Sequence, residues 1–206
     1  MPKIVIGLFS CVEHSDRDAM CRDTWIPHAT AAGVDVVFLH GGAESFERVG
    51  DILRFPVEPD YNFLPKRTRA FAQWFLEETD ADYAFKADND TYIVPKRLIE
   101  YPLEGLHYVG CEPGGKFRGY CSGGAGYFLS RHAAGILAEH LTRPYGAEDK
   151  EVGRILKDAN VRPKFDKRFV PWGHPSPGRH PTPSNNVITA HKMSVELWFS
   201  VHQSTY

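Results

Sequence analysis

The chain has 206 residues, 42% of them hydrophobic and 13% aromatic, enough apolar material for one substantial core. A formal net charge of -2 argues against nucleic acid or a membrane surface as partner. No stretch approaches the ~20 apolar residues of a membrane-spanning helix. Met1-Pro2-Lys3 leads directly into Ile4-Val5-Ile6-Gly7-Leu8-Phe9, a run too short for a secretory leader and suited to a first buried strand. The expectation is a soluble cytoplasmic protein, or a soluble domain cut from a longer polypeptide. Cys11, Cys21, Cys111 and Cys121 show no C-x-x-C spacing, which argues against a structural zinc site and predicts free thiols.

After the first strand, residues 10–15 read as a loop. Residues 16–32 read as one helix, with Met20, Trp25 and Ala29 near helical spacing and Gly33 ending it. Residues 34–39 form a second buried strand, turned by Gly41-Gly42. A short helix is expected over 44–50 and a strand over 53–57. Pro56, Pro59 and Pro65 then punctuate a loop around Asp60-Tyr61-Asn62-Phe63-Leu64. Over 66–78, Ala70, Phe71, Trp74 and Phe75 make one face of a helix. Lys66, Arg67 and Arg69 sit near its start, the unfavourable end for cations, so they form a solvated face or meet a phosphate. The apolar run 81–85 reads as a buried strand ending in Asp88-Asn89-Asp90, before a second apolar run, Thr91-Tyr92-Ile93-Val94. Pro95 opens a short helix. Residues 108–110 and 127–130 are strands, and a helix starts at Arg131. Residues 111–128 are rich in glycine, and 171–186 in proline, glycine and histidine. Long irregular segments of this kind are typically functional loops. The alternation predicts an α/β protein: a three-layer α/β/α sandwich with a Rossmann-like, mostly parallel mixed sheet, in one domain over 1–206.

Four groups of residues carry candidate chemistry. Asp88 and Asp90 at the mouth of a buried strand suit a hard divalent cation that carries a phosphate ligand. Alone, such a pair is also an ordinary exposed turn. The EF-hand pattern is absent. Ser122-Gly123-Gly124-Ala125-Gly126 lets a backbone approach a ligand closely, or makes a turn between strands. Glu148-Asp149 at a helix start either complements the macrodipole or offers a catalytic carboxylate. His191, after the short run Val187-Ile188, is a structural histidine or a third metal ligand, mixing nitrogen with oxygen as Mn2+ accepts. Trp172 and His174 lie in a loop that either packs locally or stacks on a sugar ring.

Lys86-Ala87-Asp88-Asn89-Asp90-Thr91-Tyr92, Ser122-Gly123-Gly124-Ala125-Gly126-Tyr127, Glu148-Asp149 with Gly153, and His191 occur in this order. Together they resemble the Fringe, core 1 galactosyltransferase and β-1,3-galactosyltransferase family of inverting glycosyltransferases. Arg22-Asp23-Thr24-Trp25 is similar to that family's Arg-x-Thr-Trp, and Tyr61-Asn62-Phe63-Leu64-Pro65-Lys66 loosely to its Tyr-x-Asn-Leu-Thr-x-Lys. The resemblance covers about residues 4–202. It implies a GT-A type fold and an enzyme that uses Mn2+ (or Mg2+) to move a sugar from a UDP-sugar donor to a hydroxyl of a glycan or glycoprotein acceptor. Asp90 would be the main metal ligand, assisted by Asp88 and completed by His191. Asp88 and Asn89 would face the nucleotide, Gly123 and Gly124 would flank the sugar, and Asp149 would be the base. Apart from the resemblance, the negative charge of a departing diphosphate calls for a positive group beside it, for which Lys66, Arg17 and Arg22 are the candidates. The chain departs from the family's pattern at Asn89, the middle of the acidic triplet, at Lys150, and in lacking a membrane anchor. Two alternatives are a phosphohydrolase with Asp88 as nucleophile and a glycan-binding module without turnover.

Overall fold

The computed structural model describes residues 1–115, 117–173 and 179–206. The first strand, β1 (Ile4–Phe9), is buried throughout, and its side chains alternate between two cores. Ile4, Ile6 and Leu8 enter one, and Val5 and Phe9 enter the other. That period of two, apolar on both faces, is what a strand covered by helices on both sides requires. Gly7 breaks the pattern for a packing reason: a Cβ there would sit 2.5 Å from Phe71 Cζ.

The single helix expected over 16–32 is two helices, α1 (Ser15–Asp23) and α2 (Ile26–Ala31). Pro27 explains the restart. It lacks an amide hydrogen and fits only the first turn of a helix, so the chain breaks at Thr24 (φ −121°, ψ −92°). β2 (Asp35–His40) then lies parallel to β1. The helix expected over 44–50 is instead an edge hairpin, β3 (Glu47–Val49) with β4 (Ile52–Arg54). Gly50 takes a φ of +62° in its turn, and Arg48 pairs with both Asp35 oxygens at 2.7 and 2.8 Å. Residues 47–49 are exposed and have no apolar face for a helix to bury.

The remaining elements are α3 (Leu64–Glu78), β5 (Tyr83–Asp88), β6 (Thr91–Ile93), α4 (Pro95–Ile99), β7 (Tyr108–Gly110), β8 (Tyr127–Ser130) and α5 (Arg131–His140). They are followed by α6 (Glu148–Asp158), β9 (Lys164–Phe165), β10 (Phe169–Val170), β11 (Thr189–His191) and α7 (Val195–Thr205). The main sheet has the order β3-β4-β2-β1-β5-β8-β7-β9. Six of its eight strands run the same way, with β3 and β8 reversed. One core is closed by α1, α2, α4 and α7, the other by α3, α5 and α6. A second sheet, β10-β11-β6, pairs His191 with Thr91. It therefore brings the end of β11 to the turn that follows β5.

All four cysteines are unbridged. No helix among the described residues is long and apolar enough to cross a membrane.

Candidate functional site

β5 ends at Asp88, where its partner β1 also ends. Asn89 N donates to Phe9 O at 3.1 Å, and Lys192 N to Asp90 O at 3.1 Å. Lys192 reaches that bond with a φ of +58°, a conformation costing a non-glycine residue about 1 kcal/mol. The result is a tight cluster: one ligand atom from each of Asp88, Asp90 and His191, all within 4.8 Å of one another. His191 Nε2 lies 3.0 Å from Asp90 Oδ1 and 3.9 Å from Asp88 Oδ2. Its Nδ1 lies 3.0 Å from Pro171 O.

A carbonyl oxygen only accepts, so Nδ1 carries the hydrogen and the neutral ring presents a lone pair at Nε2. Asp90 Oδ1 is buried and has no hydrogen-bond partner among the described residues. Two lone-pair atoms at about 3.0 Å have the spacing of adjacent ligands on an octahedral ion with bonds of about 2.1 Å. The residues therefore fit a divalent cation. Were the ring protonated on both nitrogens, it would instead donate to Asp90. Burial works to raise the Asp90 pKa; a hydrogen bond and positive charge from the His191 ring in that doubly protonated form, then Arg17 and Lys192, outweigh it and hold the carboxyl below its ordinary range. Arg17 Nη1 stands 3.6 Å from Asp90 Oδ2.

Beneath this cluster is a buried charge network. The Lys86 side chain is 2% exposed. Its Nζ lies 3.1 Å from Asp88 Oδ1, 3.1 Å from Gly123 O and 3.4 Å from Glu148 Oε2. Glu148, in the first turn of α6, also accepts from Thr68 Oγ1 at 2.8 Å and from Tyr127 OH. Burial drives the Glu148 pKa up, only partly offset by Lys86 and these donors. Burial pulls the Lys86 pKa down, but Asp88 and Glu148 reverse the direction and raise it. The next residue, Asp149, is half-buried on the cleft wall. It accepts from Gly123 N at 3.3 Å and from Lys150 N at 2.8 Å. The two glycines have a shared cause. A Cβ at Gly124 would collide with the His191 ring, and one at Gly123 would sit 2.7 Å from Glu148 Oε2.

One open cleft of about 600 Å³ lies at the C-terminal edge of the parallel strands, the place where α/β sheets hold ligands. Asp88, Asp90, His191, Gly124, Asp149 and Arg17 all face it. Asn89 also lines it but is 3% exposed. Its amide nitrogen turns inward, to Asp18 Oδ1 at 2.7 Å and Ser10 Oγ at 3.1 Å, and so ties the end of β5 to α1. Arg22 lies outside the cleft. Its guanidinium is held by Asp51 at 2.7 and 3.0 Å and stacks on Phe38. Lys66 is not among the lining residues either; it reaches out toward Glu58 at 3.5 Å and over the Phe63 ring.

The cation that does line the cleft from α3 is Arg67. It is 4% exposed and donates from Nη2 to Ser10 O at 2.6 Å and to Leu39 O. It forms no ion pair among the described residues. Its signal was in the sequence: Arg67 is in helical phase with Ala70, Phe71 and Trp74, and Lys66 is not. Trp172 stands at the rim, 47% exposed, with Lys192 Nζ 4.8 Å from its ring centre. His174 lies outside the described residues.

No protein-family model matches the chain. Its sequence is 28% identical over 128 residues to a probable beta-1,3-galactosyltransferase 12 of Arabidopsis thaliana, covering 52% of this chain and 34% of that protein. It is 27% identical over 223 aligned positions to beta-1,3-galactosyltransferase 6 of Mus musculus, covering 88% of this chain and 66% of that protein. The chain thus spans about a third to two thirds of the length of these relatives.

Among solved structures, the catalytic domain of Drosophila beta1,4galactosyltransferase 7 in complex with xylobiose aligns with a TM-score of 0.54 at 15% identity, over 96% of this chain and 73% of that one. A mutant of that enzyme was solved with manganese, UDP-Gal and xylobiose, and aligns with a TM-score of 0.53 at 14% identity, over 95% and 73% of the two chains. A glycosyltransferase involved in glycosylation of the major capsid of PBCV-1 gives 0.55 at 12% identity, over 99% and 98%. The chain has the GT-A glycosyltransferase fold, and in sequence it is similar to β-1,3-galactosyltransferases.

Proposed function

We propose that this chain is a metal-dependent, inverting glycosyltransferase of the Fringe, core 1 and β-1,3-galactosyltransferase type. It would move a sugar from a UDP-sugar to a hydroxyl of a glycan or glycoprotein, with residues 1–206 forming one catalytic domain. The observation that carries this reading is the buried Asp90 Oδ1, without a hydrogen-bond partner among the described residues and 3.0 Å from His191 Nε2, in one cleft with Asp149. Asp90 and His191, with Asp88 Oδ2 beside them, would hold Mn2+ or Mg2+. When bound, the ion supplies Lewis-acid stabilisation of the charge that develops on the departing diphosphate.

The chain's own residues account for the rest. Arg67 is a buried cation with no ion pair among the described residues, a costly arrangement that an anionic ligand relieves. We assign it to the diphosphate, with Arg17 beside Asp90 as a second positive group. Asp149 takes the proton of the acceptor hydroxyl. The hydroxyl oxygen then bonds to the anomeric carbon from the face opposite the diphosphate, as the bond from that carbon to the phosphate oxygen breaks. One base on one face gives inversion, through a transition state with oxocarbenium character. The hydrogen bonds from Gly123 N and Lys150 N hold the Asp149 carboxylate in place.

The test is UDP release and sugar transfer from a panel of UDP-sugars with Mn2+. Asp149→Asn should lower turnover about 100-fold or more and keep UDP binding, whereas Asp90→Ala should lose Mn2+-dependent UDP binding. Transfer that survives Asp149→Asn would sink the assignment. So would phosphate release from simple monoesters with a phosphoryl group trapped on Asp88.

A further inference from the structure

Asp88 is the member of the acidic pair whose two oxygens do different things. Oδ1 lies 3.1 Å from Lys86 Nζ, and Oδ2 is the oxygen nearest His191 Nε2. Lys86 has three ammonium hydrogens and three acceptors around it: Asp88 Oδ1, Gly123 O and Glu148 Oε2. The group has no spare donor and, at 2% side-chain exposure, no water to turn toward. Its strand position is fixed by pairing with Gly7 of β1 and Tyr127 of β8. Glu148 is fixed in turn by Thr68 of α3 and Tyr127 of β8.

A buried Lys–Glu pair is a poor choice for stability alone, since apolar residues of similar volume generally do as well or better. What an apolar pair cannot do is hold a carboxylate by one oxygen. We propose that Lys86 and Glu148 are positioning residues for the cation site. Lys86 clamps Asp88 Oδ1 so that Oδ2 faces His191 and Asp90, and Glu148 keeps the ammonium from being drawn wholly onto Asp88. Gly123 extends the same network to the cleft wall, because its carbonyl accepts from Lys86 and its N–H donates to Asp149. This inference rests on the reading of Asp88, Asp90 and His191 as a cation site.

The experiment is Mn2+ binding to the purified chain, read from the free-ion electron paramagnetic resonance signal, beside the melting temperature. The double variant Lys86→Met with Glu148→Gln removes both charges. Net charge is unchanged, so a shift in Mn2+ affinity reports orientation rather than long-range electrostatics. The expected result is a Kd about tenfold weaker, the usual scale for groups that orient a metal ligand, at a melting temperature close to wild type. Wild-type Kd in the double variant would overturn the proposal. Glu148→Gln alone is the second variant, and it keeps the side chain's size and a carbonyl acceptor for Lys86. It should also weaken Mn2+ binding, because the uncompensated ammonium competes for Asp88; unchanged affinity there would equally overturn the proposal. A wild-type chain that binds no Mn2+ would remove the cation-site reading itself, and this inference with it.

Discussion

Lys66 and Arg67 are neighbours in sequence with opposite environments. Lys66 is half-exposed against Glu58, whereas Arg67 is buried in the cleft wall. A motif match by residue type favours the lysine. Helical phase favours the arginine, because a side chain three positions before Ala70 shares its face. The account therefore predicts that Arg67→Met weakens UDP binding in the presence of Mn2+ about tenfold or more, the scale of a charge-assisted hydrogen bond. Lys66→Met should leave it within about twofold, as expected for an exposed cation. Isothermal titration with UDP separates the two, and equal losses would return the role to Lys66.

Asp88, Asp90, Asp149 and His191 were legible as candidates, each standing at the end of an apolar run or at a helix start, and the fold brings the four to one cleft. Glu148 and Lys86 were not readable as a pair. They are distant in sequence, and a lysine inside a strand gives no sign of which carboxylate it will meet. Asn89 illustrates the reverse problem. The family resemblance implied a nucleotide contact for it, while the fold uses its amide to bind Asp18 and Ser10.

At the scale of elements, the site depends on backbone close approach. Gly124 has no room for a Cβ because the His191 ring occupies that space. Its carbonyl accepts from Thr91 Oγ1 at 2.6 Å and from Asp88 N at 3.3 Å, so loop, β6 and β5 are tied together there. Gly124→Ala must displace the imidazole. It should weaken Mn2+ binding at least tenfold and cost about 1–3 kcal/mol of stability, the range for overpacking. Denaturant melts beside Mn2+ titration check both.

Helix α7 supplies a pH-dependent contact. His202 Nδ1 lies 3.1 Å from the Tyr92 hydroxyl. Burial, then His28, lowers the His202 pKa below its ordinary 6.5. The unfolded chain therefore binds this proton more readily than the folded one, and stability rises with pH across the window between the two pKa values. The contribution is intact above about 6.5 and is lost as pH falls from there through the lowered folded value. Replacing His202 with Asn should flatten the drop in melting temperature between about pH 7.5 and 5.5; an unchanged slope would assign that drop to other groups.

The two elements misread from sequence have local causes. Pro27 restarts a helix that the apolar spacing reads straight through, and Gly50 allows a two-residue turn in a polar segment that resembles a short exposed helix. Long, two-faced apolar patterns such as Ile4–Phe9 were legible because a buried parallel strand admits little else.

For the whole molecule, the alternation of strands and helices was enough to give the three-layer sandwich and its mostly parallel sheet. Strand order and the small β10-β11-β6 sheet were not legible. They are set by pairings such as Ala190 with Tyr92, between segments whose short runs carry no register of their own. That small sheet is what makes the site. Without it His191 has no fixed position relative to Asp90. The ends of β1 and β5, a histidine carried in by a separate sheet, and a helix start bearing Asp149 converge on one opening.

The most direct test of this account is thermal stabilisation by a panel of UDP-sugars with and without Mn2+. A ligand at about 100 times its Kd adds about 2.7 kcal/mol, a readily measured shift. The account predicts stabilisation by UDP-sugar only when Mn2+ is present, retained in Asp149→Asn and abolished in Asp90→Ala and His191→Ala. Stabilisation of the same size without metal, or in Asp90→Ala, would contradict it.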